Sequence, residues 1–76
     1  MSNAEMTNAE RFKESATART QELLHRIRVL GHCSNKSLYE YKEEDVRKIF
    51  RAIDSELRLM KDRFRRRLAK QENFRL

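Results

Sequence analysis

The sequence predicts an all-α protein, an antiparallel hairpin of two long helices that dimerises into a four-helix bundle. Three observations carry this expectation. The chain has no proline and a single glycine in 76 residues, which removes most of the turn chemistry that sheets and barrels require. Apolar residues recur at spacings of three and four in two separate runs, the signature of one helix face each. Charged residues make up 39% of the chain and apolar residues 38%, a balance that suits thin cores between solvated helix flanks.

The first run is Phe12, Ala16, Thr20, Leu23, Ile27 and Leu30, with Ala9 extending the row. Two start signals precede it. Thr7-Asn8-Ala9-Glu10 has the capping-box pattern, in which a hydroxyl and a Glu three residues later satisfy each other's backbone N–H groups. Ser2-Asn3-Ala4-Glu5 repeats that pattern, so the helix begins near residue 3 or residue 8; residue 8 with a frayed lead-in is the favoured start. Ser2-Asn3-Ala4 also resembles a scar left by tag cleavage, a reading in which residues 1–5 are not natural sequence. The expected helix spans 8–30, with Gly31 supplying a left-handed C-cap. The connection, 31–42, is polar and turn-rich; Ser37 with Glu40 offers a further capping box and so a short helical turn.

The second run is Val46, Ile49, Phe50, Ile53, Leu57, Met60, Phe64 and Leu68, predicting a helix over 43–70 with a frayed tail. Glu43, Glu44 and Asp45 suit the positive end of its dipole, and Arg65 to Lys70 suit the negative end. Glu43–Arg47, Glu44–Lys48, Asp54–Arg58 and Asp62–Arg66 are acid-before-base pairs four residues apart, each expected to contribute about 0.2–0.5 kcal/mol.

Laid antiparallel, the two runs match. Ile27 faces Ile49, Leu23 faces Ile53, Ala16 faces Met60 and Phe12 faces Phe64, and the numbers in every pair sum to 76. Thr20 with Leu57 and Ala9 with Leu68 fall within one position of that rule. The expected domain is a single helical hairpin over residues 1–76. Two helices alone make a thin core for a chain this short, so a second copy is expected to complete it. Phe12, Leu23, Ile27, Ile49, Ile53, Leu57, Met60 and Phe64 then form the core and dimer contact, and Leu24 widens it. A heteromeric partner covering the same face is the competing explanation. Val29 and Leu59 point away.

Several function classes are disfavoured. There is no Gly-rich phosphate loop, no paired His–Glu zinc motif and no nucleophile with a base and an orienter, so no catalytic residue is assigned and no enzyme is expected. His32 and Cys33 adjoin, with His25 nearby, but a structural zinc takes four ligands and no second cysteine pair exists. They read as a loop thiol and two surface imidazoles, a metal shared across a dimer being the alternative; no cofactor is expected. The lone Cys33 excludes an internal disulfide and suits a reducing, cytoplasmic setting. No apolar stretch approaches a membrane span, residues 1–14 lack a signal-peptide core, and no membrane partner is expected.

Charge is the better lead. Residues 1–45 carry 7 Lys/Arg against 8 Asp/Glu, whereas residues 46–76 carry 11 against 4, so the net +6 is a −1 segment followed by a +7 one that begins after the acidic first turn of the second helix. At ~100° per residue, Arg47, Arg51, Arg58, Lys61 and Arg65 fall within about 80° of one another, interrupted by Asp54. Such a stripe can neutralise successive phosphates of DNA or RNA, and the planar guanidinium suits phosphate. Arg51, Arg58, Lys61 and Arg65 are the expected nucleic-acid contacts. The plainer alternatives are a solvated flank or a docking surface for an acidic protein. Tyr39 and Tyr41 either stack on bases or close the open end of the bundle, the second being favoured.

The connection and the head of the second helix, Cys33-Ser34-Asn35-Lys36-Ser37, Tyr39-Glu40-Tyr41, Glu43-Glu44-Asp45-Val46 and Lys48-Ile49-Phe50, resemble short uncharacterised helical proteins carried on bacterial plasmids and other mobile elements. The resemblance covers residues 23–64. It implies a helical fold and carries over no activity and no functional residue; Lys42 stands where it implies a threonine at the helix start. The two-hairpin form is also similar to that of the small RNA-binding Rop protein of plasmids, in form alone. The expected function is therefore a non-enzymatic accessory or regulatory protein that dimerises and binds nucleic acid. The alternative is a protein adaptor whose partner completes the helical core.

Overall fold

The computed structural model describes the backbone of residues 5–73 and the side chains of residues 5–69. Among these residues it is all-helical and contains no strand. The chain divides into two units, Met1–Glu40 and Tyr41–Leu76.

The first unit is built on α1 (Asn8–Gly31, 24 residues), about 36 Å long at 1.5 Å per residue. Its start is fixed by both arms of the capping box. The Glu10 backbone N–H donates to Thr7 Oγ1 at 3.1 Å, and the Thr7 N–H donates to Glu10 Oε1 at 2.9 Å. Thr7 is extended, with φ −76° and ψ 165°, as an N-cap should be, and two otherwise orphaned donors are satisfied. The alternative start near residue 3 and the Ser2-Asn3-Ala4 triplet lie outside the described residues.

The far end of α1 corrects the sequence reading. Gly31 is not a left-handed cap: it is the last helical residue, right-handed at φ −60° and ψ −25°. The chain then tightens into a 3-10 turn, His32–Ser34, in which the His32 N–H reaches back to the Val29 and Leu30 carbonyls. Such tightening satisfies the last carbonyls of a helix without any residue at positive φ.

Asn35 is what stops the helical run. It turns extended, with φ −70° and ψ 105°. Its carbonyl accepts from the Leu38 and Tyr39 N–H groups at 3.1 and 3.0 Å, and its side-chain Oδ1 accepts from the Ser37 N–H at 2.9 Å. This is an Asx turn, the local hydrogen bonding that makes asparagine a helix terminator. A short helical turn does sit inside the connection, at His32–Ser34, but not on the Ser37–Glu40 capping box, since the Ser37 N–H donates to Asn35.

The second unit is built on α2 (Glu43–Asn73, 31 residues), about 46 Å long. Its start carries half of a capping box. The Lys42 N–H donates to Asp45 Oδ2 at 2.9 Å, while the hydroxyl arm is missing because lysine has none. The Val46 N–H bonds the Lys42 carbonyl at 3.2 Å, closing the first turn. Glu43, Glu44 and Asp45 in that turn complement the helix dipole. The frayed tail expected from residue 71 is helical through Asn73; residues 74–76 lie outside the described residues.

No described side chain is buried in this chain. Met6, Ala16, Tyr41, Val46, Ser55 and Asp62 are half-buried and the remainder exposed. Each unit thus consists of one long helix carrying an exposed apolar stripe, α1 starting on a complete capping box and α2 on half of one.

Candidate nucleic-acid interface

The site is a surface of α2. One continuous helix carries Arg51, Arg58, Lys61 and Arg65, and all four side chains are exposed. Uninterrupted helical phase places them within about 80° of one another, so the structure brings the four expected contact residues onto one flank. From Arg51 to Arg65 that flank runs about 21 Å along the axis.

The ion pairs decide which cations are available, and here the structure departs from simple spacing. Of the four expected pairs, Glu43–Arg47 closes at 3.3 Å. Asp62 bonds Arg65 at 3.9 Å rather than Arg66. Among the described residues Glu44–Lys48 and Asp54–Arg58 do not close. An unanticipated pair, Glu22–Arg26 at 3.5 Å, forms on α1; the same acid-before-base spacing marks it in the sequence. All these groups are well exposed, and an exposed pair gains little beyond the entropy lost in holding two long side chains together. Arg51, Arg58 and Lys61 therefore have no ion-pair partner among the described residues, and Arg65 is held by Asp62 at the outer limit of an ion pair.

Beside this flank runs the apolar stripe of Ile49, Ile53, Leu57, Met60 and Phe64. Its most sheltered members remain well exposed, Ile53 at 38% and Leu57 at 39%, and Phe64 reaches 51%. On α1 the corresponding stripe has Phe12, Leu23 and Ile27, also exposed. Sequence reasoning passed over Leu38, which at 73% is more exposed than any of these. It sits inside the turn closed by Asn35, where periodicity carries no signal. Tyr39 is exposed and Tyr41 half-buried.

The remaining chemistry is sparse. Among the described residues no three His, Cys, Asp or Glu side chains converge as a metal site would require. Cys33 is an exposed free thiol. A surface depression on α1 is lined by Ala16, Thr17, Thr20 and Gln21, where the short side chains of Ala16, Thr17 and Thr20 leave a gap. No described helix is long and apolar enough to cross a membrane. No protein-family model, curated protein or solved structure matches the chain.

Proposed function

We propose that this protein is a non-enzymatic accessory or regulatory factor that binds nucleic acid through the basic flank of α2. The observation that carries the reading is the exposed row Arg51, Arg58, Lys61 and Arg65 on one continuous helix. Phosphates repeat along a nucleic-acid strand, and a rigid row of guanidinium groups meets several at once. The apolar stripes serve assembly in this reading. α1 and α2 pair antiparallel, Leu23 against Ile53 and Ile27 against Ile49, and two such hairpins form a four-helix bundle. An exposed apolar stripe flanked by charge is the usual mark of a helix that buries its face in an assembly.

The same stripe favours a second reading, an adaptor whose protein partner covers Ile53 and Leu57. Salt separates the two. Titration of duplex DNA, single-stranded DNA and folded RNA at low and moderate salt, with the mass of the protein measured alongside, is the deciding experiment. Nucleic-acid binding weakens steeply with salt and is weakened in Arg51→Ala/Arg58→Ala. An adaptor complex tolerates salt and fails in Ile53→Asp or Leu57→Asp. Absence of binding to all three polyanions at low salt overturns the proposal.

A further inference from the structure

We infer that the last turns of α2 enter the major groove of double-helical DNA, with Arg66 toward the groove floor and Arg65 and Arg67 toward phosphates on its two walls. This inference rests on the nucleic-acid reading and narrows it. Between residues 47 and 61 the charge stripe occupies a single flank. Over residues 63–67 the pattern changes, because three arginines follow one another. Consecutive helical residues diverge by about 100°, so Arg65, Arg66 and Arg67 spread over an arc of about 200° centred on Arg66. Arg63 lies inside that arc. Phe64 and Leu68 lie on the opposite side, their mean direction about 180° from Arg66. The helix end is therefore cationic on three sides and apolar on the fourth.

A single charged flank can rest against any row of phosphates. A helix charged on three sides is matched only by a concave polyanion with phosphates on both walls. An α-helix with side chains is about 10–12 Å across, and the B-form major groove is about 12 Å wide and 8.5 Å deep. The A-form RNA major groove is too narrow and deep for side chains to read, and a single strand offers one line of phosphates. Arg63, Arg66 and Arg67 are exposed and lack an ion-pair partner among the described residues. The acid within the arc, Asp62, pairs with Arg65 only at 3.9 Å, and that weak exposed pair opens when Arg65 turns to a phosphate. The apolar back formed by Phe64 and Leu68 stays turned away from the groove.

The test uses the full chain, a labelled duplex of about 20 base pairs, its single strand and an RNA hairpin at low salt. Helicity is checked by circular dichroism in every variant. Arg66→Ala/Arg67→Ala is expected to weaken duplex binding about tenfold or more and to leave single-strand binding within about twofold. Arg51→Ala/Arg58→Ala weakens both. Methyl green, which occupies the major groove, competes with the protein; netropsin, which occupies the minor groove, does not. Equal loss on duplex and single strand in the Arg66/Arg67 variant, tighter binding of the RNA hairpin, or competition by netropsin alone overturns the groove assignment while leaving nucleic-acid binding intact. Failure of all three nucleic acids to bind overturns both.

Discussion

Thr7 and Asp45 head the two helices with different parts of the same device. Thr7 uses both arms of the capping box, whereas Asp45 supplies only the arm that reaches back to Lys42. Thr7→Ala is expected to cost about 1 kcal/mol, seen as lost helicity by circular dichroism, with Thr7→Ser close to the parent. At the other end of α1, Gly31 is right-handed and a Cβ there meets nothing within 4 Å. Gly31→Ala is therefore expected to stabilise by about 0.5–1 kcal/mol, because alanine loses less backbone freedom on folding. A thermal melt checks the sign, which would be opposite for a left-handed cap. The two ends of α1 differ in how legible they are in the sequence. A capping box is a requirement written in two side chains, and Thr7 with Glu10 could be read directly. Glycine is only permissive, so Gly31 marks where a bend is allowed, while the Oδ1 of Asn35 makes the stop.

At the scale of the element, both helices were legible because their apolar spacing holds over many turns. Side-chain pairing was less so. Asp62 has a basic neighbour at both three and four residues' distance, and the choice of Arg65 over Arg66 depends on rotamers that spacing does not encode. The shared flank of the candidate contact residues was legible as a helix phase, since continuity of α2 from residue 43 onward puts Arg51 and Arg65 on one side. The stripe itself yields a test by substitution. Where Ile53 is covered in an assembly, Ile53→Ala costs about 2–5 kcal/mol, as for a core side chain. Where it stays in water the change stays within about 0.5 kcal/mol. Chemical denaturation at high protein concentration is expected to give the larger value.

For the whole molecule, the proposed assembly would couple association to folding, since no described side chain is buried in the single chain. Isolated helices are marginal in water, and most helical stability comes from covering an apolar face. Helicity is thus expected to rise with protein concentration, as mass action requires when the folded form is the associated one. Dilution with circular dichroism and sedimentation in parallel checks this. The expected mass at saturation is twice the 9.2 kDa chain. The pairing proposed between the helices rests on arithmetic alone, because register depends on which faces meet, and sequence numbers supply no area of contact. The Asn35 turn has a further consequence for such an assembly. Past it, the link into α2 carries Lys36 and Lys42, both exposed, in a stretch outside the helices, where trypsin finds accessible backbone. A single cut after Lys36 separates a piece of net charge +2 from one of net charge +4, without opening either helix. Two pieces that still migrate together on a native gel would show that the helical faces hold the assembly and that the link serves only as a tether.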